Sequence, residues 1–181
     1  MKYISTRGGV EALSFKDTVM MGLASDGGLL IPQSFPDVSD KLEEWKKLSF
    51  QELALEIFSL YITDIPRADL KTLIDESYAT FSHSLVCPVK KLNGISVLEL
   101  FHGPTLAFKD VALQFLGKLF AYILDERGTS LNILGATSGD TGSAAIEGVR
   151  GQKNINIFMM HPAGKTSPLQ ELQMTSVLDE N

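Results

Sequence analysis

The stretch Leu134-Gly135-Ala136-Thr137-Ser138-Gly139-Asp140-Thr141-Gly142-Ser143-Ala144-Ala145 decides the fold class. The apolar residues 131–134 predict a strand, and the Ala-rich residues 141–150 predict a helix. Small hydroxyl residues and glycines join the two. Glycine lets a backbone approach a ligand closely, and a helix start offers unpaired N–H groups with a partial positive charge. Together these make an anion cradle. The hydroxyls of Thr137, Ser138 and Thr141 add donors suited to a carboxylate or phosphate. An ordinary strand-to-helix turn with Asp140 or Thr141 as N-cap would read the same way, and the two roles are compatible.

Working outward, residues 155–160 predict a strand and 166–177 a helix, while upstream 95–100 predict a strand and 108–126 a helix. This alternation implies parallel pairing with right-handed crossovers, and the short apolar strands suit a sheet covered on both faces. Before residue 95 the readable elements are helical, at 15–24, 49–61 and 67–81. Ser49 with Glu52 forms a capping-box pattern ahead of Leu53, Ile57 and Leu60. Pro66 precedes a stripe of Leu70, Leu73, Ile74 and Phe81. The expected organisation is α/β, with an N-terminal helical lobe over 1–94 and the start of an α/β domain over 95–181.

The chain has 181 residues, of which 44% are hydrophobic and 21% charged, a globular composition. Its 16 basic and 22 acidic residues give a net charge of −6, which excludes a global positive field for nucleic acid or an anionic membrane. One cysteine, Cys87, and three histidines exclude an internal disulfide and a zinc site of usual spacing. The polar, Gly-containing start lacks a signal-like apolar stretch, and no apolar run is long enough to span a bilayer, so a cytoplasmic location is expected.

A second constellation is Leu100-Phe101-His102-Gly103-Pro104-Thr105-Leu106-Ala107-Phe108-Lys109-Asp110. It lies where a strand leaves the sheet and a helix begins, the crevice in which open α/β sheets bind ligands. At helical spacing Lys109 shares a face with Ala112, Leu113, Leu116, Phe120 and Ile123. A lysine there would lose charge or find an acid or covalent partner, and a neutral lysine suits Schiff-base chemistry. The alternative is a stem that snorkels to solvent or pairs with Asp110 or another acid. His102 reads as structural. Gly164-Lys165-Thr166 fails as a P-loop because Met159 stands where glycine is required, and no dinucleotide fingerprint follows a strand.

These motifs resemble the threonine synthase family, pyridoxal-phosphate enzymes of the tryptophan-synthase-β-like fold (fold type II). Tyr3-Ile4-Ser5-Thr6-Arg7-Gly8 resembles the family's opening, and Gly22-Leu23-Ala24-Ser25-Asp26-Gly27-Gly28-Leu29 its next signature. Glu99 through Asp110 resembles the cofactor-lysine segment, and Thr137-Ser138-Gly139-Asp140-Thr141-Gly142 the loop that meets cofactor and substrate. His161-Pro162 and Gln170-Glu171-Leu172-Gln173-Met174-Thr175 resemble a later signature.

The resemblance implies that Lys109 is the catalytic lysine, joined covalently to pyridoxal 5'-phosphate and shuttling protons. It implies that Ser138, Asp140 and Thr141 face the cofactor, and that Thr137, Ser138, Gly139, Asp140, Thr141 and Gly142 hold the substrate carboxylate. Asp140 stands where many relatives of the fold carry asparagine. The implied reaction converts O-phospho-L-homoserine and water to L-threonine and phosphate, the last step of threonine biosynthesis, with no metal. Family members run to more than twice this length, with the cofactor-phosphate loop in the later part. The chain alone is therefore expected to be catalytically silent, and its incomplete sheet to favour self-association. Two alternatives stay open: a threonine-synthase-like phospholyase that releases a keto acid and ammonia, and a non-catalytic folded module.

Overall fold

The computed structural model describes residues 1–181 and divides into two compact units, Met1–Ile74 and Asp75–Asn181. In the first, β1 (Tyr3–Ser5) pairs antiparallel with β2 (Leu30–Pro32), in the register Tyr3↔Pro32 and Ser5↔Leu30. The carboxylate of Asp26 ties the two ends of this pair together. It accepts from the Gly9 and Gly28 amides, each at 2.8 Å, and from the Ser5 hydroxyl at 2.8 Å. Neither strand carries enough residues to show alternation, which is why both lay hidden in a stretch expected to be helical.

Three helices follow the expected pattern more closely, α1 (Phe15–Met21), α3 (Phe50–Tyr61) and α4 (Arg67–Tyr78), and a further short helix, α2 (Leu42–Trp45), lies outside it. The capping box of α3 forms as its sequence predicts, with Ser49 accepting from the Glu52 amide while the Glu52 carboxylate accepts from the Ser49 amide. Leu70, Leu73 and Ile74 of α4 are buried, whereas Phe81 lies beyond the helix end. On α3 the buried residues are Ala54 and Leu55. The expected stripe of Leu53, Ile57 and Leu60 instead lines an apolar hollow of about 360 Å³ beside Trp45 and Pro36.

The second unit departs from expectation at its first strands. β3 (Val89–Leu92) and β4 (Ile95–Leu98) form an antiparallel hairpin rather than the opening of the parallel sheet. The cause is local: Asn93 and Gly94 carry φ of 46° and 85°, the two positive-φ positions that a tight hairpin turn demands. The parallel βαβ unit is β5 (Leu131–Ala136), α6 (Asp140–Val149) and β6 (Ile155–Met160), with the register Leu131↔Ile155 to Ala136↔Met160. α7 (Pro168–Thr175) follows and packs on α6.

The long helix α5 (Asp110–Arg127) crosses α6 at a point where two glycines meet. A Cβ on Gly117 would lie 1.8 Å from the Gly148 carbonyl oxygen, and one on Gly148 would lie 2.5 Å from that of Leu113. This backbone contact sets which face of α5 is covered. Asp110, Gln114, Gly117, Leu119, Ile123 and Leu124 are buried, whereas of the face expected to go inside only Ile123 is fully enclosed and Ala112 is exposed. Burial of each large aliphatic side chain here contributes about 1.5–3 kcal/mol. One face of the β5–β6 sheet stays open within the chain, with Leu134 70%, Phe158 58% and Met160 56% exposed, so the expectation of a sheet covered on both faces is not met.

Candidate active site

Lys109 occupies the N-cap of α5 and makes no side-chain cap bond. Because the polar stripe of Asp110, Gln114 and Gly117 turns inward, the lysine stays at the margin, its side chain 31% exposed rather than sunk in the apolar side. Its Nζ lies 3.6 Å from Asp140 Oδ2 and 4.5 Å from the centroid of the Phe108 ring. Of the two expectations for this residue, pairing with an acid is the one observed, and the acid is Asp140.

The loop ahead of Lys109 is held by Asp110, a fully buried carboxylate. It accepts from the Thr105 amide at 2.8 Å, from the Thr105 hydroxyl at 2.7 Å and from Gln114 Nε2 at 3.4 Å. A Cβ on Gly103 would lie 2.4 Å from Asp110 Cβ, so glycine is required at this approach. Leu106 takes φ 63°, a left-handed conformation that costs an ordinary residue about 1 kcal/mol or more. The hydrogen bonds around Thr105 offset that strain. His102 is structural: its Nε2 lies 2.8 Å from Glu99 Oε2, and its carbonyl accepts from the Ser82 amide at 2.9 Å.

Residues 137–139 join β5 to α6, and 140–142 form the first turn of that helix, so the 137–142 loop includes the helix start. Its N-cap is Gly139, with no side-chain cap bond, so neither Asp140 nor Thr141 caps the helix; Asp140 instead opens the first turn, where a carboxylate suits the helix dipole. The Thr137 hydroxyl accepts from the Gly139 amide at 3.2 Å and is spent shaping the loop, while Ser138 and Thr141 are exposed. Gly139 and Gly142 permit the close packing of α7: a Cβ on Gly139 would lie 2.8 Å from Gln170 Nε2, and one on Gly142 would lie 2.4 Å from Met174 Sδ.

The structure thus brings Lys109 and Asp140 together and places Ser138, Thr141 and an uncapped helix start in the same loop. Asp110 is the organising residue whose role differs from the expected one of partner to Lys109, since nothing in hydropathy marks a carboxylate as core. The signal that could have found it is Thr105, whose amide and hydroxyl need an acceptor next to a glycine-proline turn.

A helical N-terminal region leading into βαβ architecture, with a lysine facing the strand-to-helix loop, matches the fold-type-II pyridoxal-phosphate enzymes. Residues 2–78 match the family model described as threonine synthase N terminus. The chain is 53% identical to threonine synthase of Schizosaccharomyces pombe, over 100% of this chain and 38% of that protein. It is 44% identical to threonine synthase-like 2 of Xenopus laevis, over 100% of this chain and 39% of that protein. The pyridoxal-phosphate-bound threonine synthase of Brucella melitensis superposes with a TM-score of 0.92 at 46% identity, over 96% of this chain and 38% of that one. The chain is a threonine synthase homologue that spans about two fifths of the length of the curated relatives it matches.

Proposed function

We propose that the chain provides the cofactor lysine and the substrate loop of a threonine synthase acting on O-phospho-L-homoserine. The observation that carries this reading is the 3.6 Å approach of Lys109 Nζ to Asp140, which sets a reachable amine against the uncapped start of α6. These residues fit pyridoxal phosphate, whose aldehyde needs an accessible amine, and a substrate carboxylate, which needs clustered N–H and O–H donors. When bound, pyridoxal phosphate serves as an electron sink for the substrate carbons.

The chain's own residues do the rest. Lys109 would hold the cofactor, and its amine would carry protons at the substrate's α and β carbons. Ser138 and Thr141 donate to the carboxylate, while the 139–142 backbone orients it and Asp140 holds the lysine amine. Loss of phosphate and addition of water give threonine. The second reading that the family resemblance leaves open is elimination of phosphate with release of a keto acid and ammonia. Threonine without ammonia as product supports the first; keto acid with ammonia supports the second. A cytoplasmic setting accords with the single cysteine, and no helix is long and apolar enough to cross a membrane.

The test is a titration of the chain with pyridoxal phosphate, followed by visible absorbance. The expected result is a saturable signal that Lys109→Ala abolishes and Lys165→Ala leaves intact. A signal indifferent to Lys109→Ala would contradict the reading.

A further inference from the structure

The segment Gln170-Glu171-Leu172-Gln173-Met174-Thr175 forms most of α7, and the proposed reaction gives it no task. Three of its side chains share one face at i, i+3 and i+4 spacing. Gln170 packs its amide on Gly139, and Met174, which is buried, packs on Gly142. Between them Gln173 Nε2 donates at 3.2 Å to the carbonyl of Thr105, 68 residues away in sequence. One helix face therefore touches both halves of the candidate site.

Thr105 is the residue through which this matters. Asp110 already holds its amide and its hydroxyl, and Gln173 takes its carbonyl, so all its polar groups are fixed. The next residue is the strained Leu106, and Lys109 follows three positions later. The Ser167 hydroxyl accepts from the Gln170 amide at 3.3 Å and donates to Gln170 Oε1 at 3.0 Å, which anchors the start of the same helix.

We propose that α7 is a strut that fixes the spacing between the Lys109 segment and the 137–142 loop, with Gln173 as a positioning residue for the lysine. The proposal rests on Lys109 being the reactive amine. Loss of the Gln173 donor leaves the 103–106 turn with one anchor fewer and lets the amine wander from the loop that receives substrate. Misplacement of this kind reduces reaction of a positioned group far from any chemical change.

The test is hydrogen exchange on the full chain without cofactor, for wild type, Gln173→Met and Gln173→Lys. Methionine keeps the reach without a donor, and lysine restores one. Exchange over 103–110 is expected to rise about fivefold in Gln173→Met, the factor that a single intramolecular hydrogen bond carries, and to return toward wild type in Gln173→Lys. Amides of α7 and β6 are expected to stay as protected as before. Unchanged exchange over 103–110 would overturn the strut, and so would a rise spread evenly over α7 and β6.

The second readout is the yield of pyridoxal phosphate fixed on Lys109 by borohydride, expected to fall about fivefold in Gln173→Met and to recover in Gln173→Lys. Equal yields in wild type and Gln173→Met would overturn the positioning role. Absence of any Lys109 adduct in wild type would instead defeat the functional reading, while the exchange data would still decide whether α7 braces the loop.

Discussion

Lys109 and Asp140 form a half-exposed ion pair, with side chains 31% and 46% accessible, so solvent screens their attraction. Asp140→Asn is expected to release the amine and raise its rate of reaction with pyridoxal phosphate by no more than about fivefold, measured by borohydride trapping. A larger change would mean that Asp140 does more than hold the amine. Both residues were legible in sequence as members of two separate motifs, but their pairing was not. The helix wheel of α5 pointed Lys109 inward because hydropathy counts leucines. The packed face instead contains Asp110, Gln114 and Gly117, which only the crossing with α6 selects. Asp26 is a second residue whose role is electrostatic. The Gly28 amide, the Ser5 hydroxyl and the Gly9 amide hold its carboxyl below the usual carboxylate range, and the Ser49 amide and hydroxyl do the same for Glu52. Folding depresses both, so their contribution is complete above the ordinary carboxylate range and is lost as pH falls through the depressed values. Urea unfolding followed by fluorescence of Trp45, the sole tryptophan and a buried one, is expected to show declining stability in acid. Asp26→Asn is expected to lower stability at neutral pH and flatten that decline.

At the scale of elements, the crossing of α5 and α6 depends on the absence of two side chains. Gly117→Ala would drive a methyl group into the Gly148 carbonyl, with an expected loss of about 3 kcal/mol or more in chemical denaturation. A cost below about 1 kcal/mol would show that the helices can separate without penalty. The sequence carried no sign of this contact, because a glycine inside a helix reads as a weak point rather than as a surface. Elements whose signals are local were read well. The α3 capping box and β6 follow from cap chemistry and an apolar run, while α7 starts at Pro168, two residues after the expected 166. The β3–β4 hairpin is also announced locally, by Asn93-Gly94, yet the apolar run after it reads as a parallel strand. Partner choice is a non-local property that a run of apolar residues does not encode.

Over the whole molecule, the succession of motifs carried more information than any single pattern. The signature at the start and that around Asp26 meet through one carboxylate inside Met1–Ile74. The lysine segment, the small-residue loop and the α7 signature meet inside Asp75–Asn181. That convergence explains why widely spaced stretches read together. The two units divide within α4, while the strand-helix alternation begins near residue 95, because compactness and element pattern mark different boundaries. The central claim is that Lys109 is the amine to which pyridoxal phosphate attaches. It is tested most directly by borohydride reduction of the chain with the cofactor at low stoichiometry, followed by peptide mapping by mass spectrometry. The expected result is a single modified lysine, Lys109. Modification spread across exposed lysines such as Lys90 and Lys91, with Lys109 no more reactive than they are, would contradict it.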